Sequence, residues 1–120
     1  MWPFSSRPKP PPCDWPTFRG MLVKIADHYL AYESKSKVAR KQEQKALQAE
    51  RRQFSVCDEM MHEIESMVMD TIWEPPNYRP GKGMVCLAAY RQVLIRGLPA
   101  AETFAALKAA FKEVTGEDYD

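Results

Sequence analysis

The sequence is short of the residues on which most functional assignments depend. It has two histidines, His28 and His62, and three cysteines, Cys13, Cys57 and Cys86, among 120 residues. An odd number of widely spaced cysteines with no CxxC pair argues against a disulfide framework and against a zinc signature. No apolar run approaches the ~20 residues of a membrane span, so we expect no membrane contact and a soluble, cytoplasmic protein.

Catalytic motifs are also missing or incomplete. Glu59 and His62 have the Glu-x-x-His spacing of di-iron helical bundles, but Ile25 stands where a second such motif ending at His28 needs a glutamate. The segment PGKG at 80–83 does not extend to a phosphate-binding loop pattern. We therefore predict no enzymatic activity, no cofactor and no metal site.

Charge is balanced overall, at +1, but it is unevenly distributed along the chain. Residues 34–57 carry seven basic and two acidic side chains, a net charge of +5, whereas residues 58–74 carry six acidic and no basic ones. The basic block predicts a surface for an acidic partner or for phosphates. The alternative is a solvated helix face with pairs such as Glu33–Lys37 and Arg40–Glu43. Its basic side chains are Lys35, Lys37, Arg40, Lys41, Lys45, Arg51 and Arg52.

The first sixteen residues contain six of the ten prolines. Because proline fixes φ and lacks a backbone donor, this composition predicts an extended arm over residues 1–16. Trp2, Phe4 and Trp15 are the large aromatic side chains in it, and we expect them to anchor the arm on the protein body or on a partner.

The central part of the chain has the pattern of an amphipathic helix. Apolar side chains recur at steps of three and four over residues 18–32 and again over 54–72. No proline or glycine interrupts residues 21–74. These observations favour one long helix over 17–74, and a helical hairpin that turns at 33–37 is the alternative.

The C-terminal part predicts a second helical unit. Residues 75–83, PPNYRPGKG, have the composition of a loop. The following residues are apolar almost all round until Gly97, Pro99 suits the start of another helix, and Gly116 suits its end. The expected fold is therefore all-α, with a Pro-rich extended arm, a long helix or helical hairpin, and an αα-hairpin over 84–116.

The expected function follows from exposed apolar surface. One hairpin cannot cover a helix of about 85 Å, so we expect a protein partner or a homo-oligomer, with coiled-coil-like pairing. The expected partner-binding residues are Met61, Ile64 and Val68 together with the arm aromatics. We predict a small non-catalytic interaction or assembly protein, such as a phage-type accessory or virion component. Nucleic-acid binding through the basic stretch 35–52 is the alternative.

Overall fold

A computed structural model describes residues 10–56, 58–73 and 82–119 of the chain. Within these residues the protein is all-helical, which confirms the predicted class. The five α-helices are α1 (Trp15–Leu30), α2 (Lys37–Arg52), α3 (Glu59–Trp73), α4 (Lys82–Leu94) and α5 (Ala100–Thr115). A short 3-10 turn, Tyr32–Ser34, connects α1 to α2.

The single helix predicted over 17–74 is interrupted twice, and the first interruption is the hairpin alternative at 33–37. There the Ser36 side chain caps α2 by accepting a hydrogen bond from the backbone N–H of Ala39 at 3.2 Å. At the second interruption Asp58 accepts from the N–H of Met60 at 2.7 Å and so begins α3. Side-chain caps therefore begin a new helix at both points, in a stretch that contains no glycine or proline.

The core lies between α1, α3, α4 and α5, and α2 is outside it. Fully buried side chains come from each of these four helices, whereas α2 has no buried residue and packs along α1. Burial of apolar surface is the main stabilising contribution, so α2 is the helix that contributes least to it. The fully buried apolar side chains include Phe18, Leu22, Ile64, Val68, Leu87, Tyr90, Leu94 and Leu107.

The C-terminal helices form the predicted αα-hairpin. Gly97 lies in the turn with φ of 71°, a left-handed conformation that glycine adopts without the steric cost of a Cβ. Pro99 is the residue immediately before α5 rather than part of its first turn. Gly116, with φ of 78°, ends α5 as predicted.

The described end of the arm is joined to the body by backbone hydrogen bonds. The N–H of Cys13 donates to the carbonyl of Ser55, and the N–H of Ser55 donates to the carbonyl of Pro11, both at 2.9 Å. Trp15 is half-buried, and its Nε1–H donates to the Leu98 carbonyl at 2.8 Å. The other two predicted anchors, Trp2 and Phe4, lie outside the described residues.

Two isoleucines test how this core stabilises the fold. Ile64 is 0% exposed in the core and Ile95 is 47% exposed beside the α4–α5 turn. We expect Ile64→Ala to lower the free energy of unfolding by about 2–5 kcal/mol, because it removes buried methyl groups and leaves a cavity. Ile95→Ala, the same change at the surface, should cost less than about 1 kcal/mol in urea unfolding. Equal losses in the two variants would contradict this assignment of the core.

Candidate functional site

The structure does not support the predicted partner-binding role of Met61, Ile64 and Val68. Their side chains are 4%, 0% and 0% exposed and pack in the protein's own core. The apolar stripe from which they were predicted is real, but α1, α4 and α5 cover it within the same chain. In this fold the three side chains are therefore not available at the surface.

Two of the predicted basic residues form contacts around the α1–α2 turn. Lys35 donates to the Glu43 carboxylate at 2.7 Å. Arg40 donates to the Tyr32 carbonyl at 2.7 Å, and its guanidinium carbon lies 4.3 Å from the centre of the Tyr32 ring. Arg40 is also 3.8 Å from the carboxylate of Glu33. These pairs replace the Glu33–Lys37 and Arg40–Glu43 pairs that the sequence predicted.

A third predicted basic residue, Arg51, connects α2 to α3. Its guanidinium donates to both carboxylate oxygens of Glu65, at 2.7 and 3.2 Å, and also to the Phe54 carbonyl at 3.3 Å. The paired carboxylate raises the pKa of Arg51. Two parallel charge-assisted bonds fix both distance and orientation, so this pair sets the position of the C-terminal end of α2.

The four remaining basic residues form a single line on the exposed side of α2, which we call the basic stripe. At about 100° per residue their positions fall within an arc of roughly 80°, and at 1.5 Å per residue the line is about 22 Å long. Every member is exposed, and none has an ion-pair partner among the residues that the structure describes. The basic stripe consists of Lys37, Lys41, Lys45 and Arg52.

A groove of about 230 Å³ lies beside the basic stripe, between α1, α2 and α3, and we call it the α2 groove. Its apolar lining comes from all three helices: Ile25 and Tyr29 on α1, Leu47 on α2 and Met69 on α3. The α2 wall also carries Gln44, Gln48, Arg51 and Arg52, and the α3 wall carries Glu65. Arg52 thus belongs both to the groove and to the basic stripe, so the apolar and cationic surfaces are continuous.

The opposite end of α2 is held on α1 by a polar cluster around a buried histidine. His28 is 0% exposed, with its Nδ1 3.3 Å from the carboxylate of Glu43. The rings of Tyr29 and Tyr32 meet the imidazole edge-on, with centroids 4.6 and 5.7 Å away. Gln44 donates to the Tyr29 hydroxyl at 3.3 Å. Polar and aromatic contacts therefore hold α2 on α1, because α2 buries little apolar surface there.

The groups with catalytic potential occupy structural positions. Cys86 is buried in the core, and burial raises the pKa of its thiol, so the thiol stays protonated at neutral pH. The His62 ring lies 2.6 Å from the Val56 carbonyl at the start of α3. In the part of the chain that the structure describes, no group of three or more His, Cys, Asp or Glu residues is arranged to hold a metal ion.

Arg51 and Arg52 are adjacent residues whose replacement by alanine should have unequal effects on stability. We expect Arg51→Ala to lower the free energy of unfolding by about 1–3 kcal/mol, because it breaks the bidentate pair and leaves Glu65, 21% exposed, without its cation. Arg52→Ala removes an exposed cation and should change stability by about 0.5 kcal/mol or less. Chemical denaturation of both variants measures the difference, and an Arg52→Ala loss as large as that of Arg51→Ala would refute it.

The Glu43 contacts predict a pH dependence. The hydrogen bond from Lys35 holds the pKa of Glu43 below its ordinary value, so the folded chain favours the ionised carboxylate. This stabilisation is present above the ordinary pKa of about 4.3 and is lost as the pH falls through the lower folded value. The stability difference between the wild type and Glu43→Gln should be present near pH 7 and disappear in acid. Urea midpoints measured by circular dichroism would test this, and a difference that is constant with pH would contradict it.

Comparison with known proteins adds no assignment to this geometry. No protein-family model matches the chain, and no match is found among curated proteins or among solved structures. Among the described residues, no helix is long and apolar enough to cross a membrane. The case for a function therefore depends on the α2 groove and the basic stripe.

Proposed function

We propose that the chain is a non-catalytic helical interaction protein that binds a protein partner through the α2 groove. The observation that carries this proposal is the continuity of an open apolar groove with a line of cations that have no ion-pair partner among the described residues. Apolar surface supplies the affinity of most protein complexes, and a charged rim supplies orientation and rate of association. The chain would then act as an assembly or accessory component, of the phage or virion type or in the host cytosol.

A second exposed surface favours association with another copy of the chain as well. Met84 and Val85 on α4 are 45% and 51% exposed, and Ile95, the residue after α4, is 47% exposed. Helical spacing puts Met84, Val85 and Ala88 on one side of α4, and Ile95 continues that side into the turn. Monomeric proteins seldom leave several large apolar side chains together on one helix face. This face supports a homo-oligomer formed through α4, which leaves the α2 groove accessible to a different partner.

Nucleic-acid binding is the second candidate function. The geometry that favours it is the basic stripe, because four cations in a line of about 22 Å can neutralise several phosphates. The stripe contains no aromatic side chain on which a base could stack. A phosphate backbone would also leave the apolar lining of the α2 groove uncovered. Protein binding therefore accounts for more of the surface than nucleic-acid binding does.

Site-specific photocrosslinking distinguishes the two functions. We expect benzoylphenylalanine in place of Gln48, which lines the groove, to give discrete adducts in cells that make the protein naturally. The same probe in place of Glu102, exposed on α5, should give none of them. We expect these adducts to be removed by protease and left intact by nuclease, as adducts with a protein would be. Adducts that nuclease removes would establish the nucleic-acid function instead, and identical adducts from both positions would contradict a role for the groove.

A further inference from the structure

We propose that the α2 groove binds an acidic amphipathic helix, an inference that rests on the protein-binding function proposed above. The size of the groove limits the occupant. Pockets for small molecules and cofactors enclose about 300–1,000 Å³, and this groove encloses about 230 Å³. That volume suits a few apolar side chains from a larger partner, inserted against Leu47 and Met69.

The walls of the groove favour a helix over an extended peptide. The walls come from three α-helices, so within them the backbone N–H and C=O groups are already paired within their own helices. An extended peptide gains affinity by adding backbone hydrogen bonds to an exposed sheet edge, and these walls offer none. A helix satisfies its own backbone and presents apolar side chains at i, i+3, i+4 and i+7, which is the spacing that a groove between helices accepts.

The charge around the groove determines the sign of the partner. Among the described residues Glu65 is the one acidic side chain in the lining, and its bidentate pair with Arg51 neutralises it. On the other side of the groove mouth, Lys41, Lys45 and Arg52 are exposed and without an ion-pair partner among the described residues. A helix lying in the groove therefore meets positive charge along its α2 edge. Acidic residues on that edge would be attracted, and basic residues would be repelled.

The aromatic side chain in the groove does not favour a base as the occupant. The Tyr29 ring is stacked on Tyr32 at 5.8 Å between centroids and meets the His28 ring edge-on. The contacts of Tyr29 with Tyr32 and His28, and the hydrogen bond that Gln44 donates to its hydroxyl, keep its side chain in place. An apolar lining with a fixed tyrosine suits aliphatic side chains such as leucine or methionine.

The proposal is tested by selection from a displayed library of helical peptides of about five turns. One face of each peptide carries Leu, Met or Ala, and the flanking positions are randomised among Glu, Lys, Gln and Ser. The bait is the full chain, at about 0.15 M salt. We expect glutamate to be enriched over lysine along one flank of the selected peptides. We also expect their affinity, measured by fluorescence anisotropy, to fall steeply as the salt concentration rises.

Two matched charge reversals test where the selected peptides bind. Lys41→Glu with Lys45→Glu alters the basic stripe, and Lys108→Glu with Lys112→Glu makes the same change at the same spacing on α5. We expect the stripe variant to weaken binding at least about tenfold and the α5 variant to leave it nearly unchanged. Met69→Lys should weaken binding in the groove without altering the stripe, and circular dichroism establishes that each variant is folded.

Each other occupant corresponds to a distinct result. Enrichment of lysine, enrichment of no helical peptide, or equal losses in the stripe and α5 variants would overturn the acidic-helix proposal. If the selection failed in one of these ways but the adducts at position 48 were protease-sensitive, the protein-binding function would stand and the acidic-helix proposal would fall. Nuclease-sensitive adducts at position 48 would remove both. An adduct with a second copy of the chain overturns the proposal, because the apolar face of α3, its acidic helix, is buried in its own core.

Discussion

The pair formed by Arg51 and Glu65 is the interaction on which the outer part of the molecule depends. Helix α2 has no fully buried residue, and among its larger apolar side chains only the partly buried Leu47 packs against the core within the described residues, so polar contacts do much of the work of holding it. The bidentate pair attaches its C-terminal end to α3, while Glu43 and Gln44 attach its other half to α1. The separation of α2 from α3, and hence the width of the groove between them, is set by this pair. Neutralising Glu65 also leaves the groove with a positive border.

The same helix shows how one sequence block can serve two purposes. Of its basic side chains, Arg40 and Arg51 face the protein and make defined contacts, whereas the basic stripe faces solvent. The two sets are interleaved along the chain, and the helical period places them on different faces. An arginine near a carbonyl or a carboxylate stabilises the fold through directional bonds, and an exposed lysine mainly contributes to the long-range field.

Composition and periodicity were sufficient to predict the helical class, the C-terminal hairpin and its Gly97 and Gly116 stops. They were insufficient for the central region, because Ser36 and Asp58 start new helices through side-chain caps in a stretch of good helix formers. The apolar stripe that begins at Phe54 continues past Asp58 and so gave no sign of this break. The burial of the predicted partner-binding residues could not be foreseen for a related reason. Periodicity identifies an apolar face without showing whether the same chain covers it, as it covers Ile64.

The candidate site was predictable only in part. The cluster of positive charge was evident from the sequence, and its separation into paired and unpaired members required the positions of Glu33, Glu43 and Glu65 in space. The groove itself joins residues from three helices, with Ile25 and Met69 far apart in the chain. No local sequence pattern shows that residues from three separate helices will line one groove. Its position depends on the turn at 33–37, which the sequence left open between two interpretations.

The scarcity of buried apolar surface on α2 has a calorimetric consequence. The heat capacity change of an opening reaction follows the apolar area that it exposes, so release of α2 from α1 would be accompanied by only a small change. A calorimetric scan would then record the heat absorbed as the four-helix core melts, and the release of α2 would add little to that signal. Amide hydrogen exchange is sensitive to such openings regardless of their heat. Slowly exchanging amides should therefore be concentrated in α1, α3, α4 and α5, with α2 forming a separate cooperative unit at the low-stability end of the molecule.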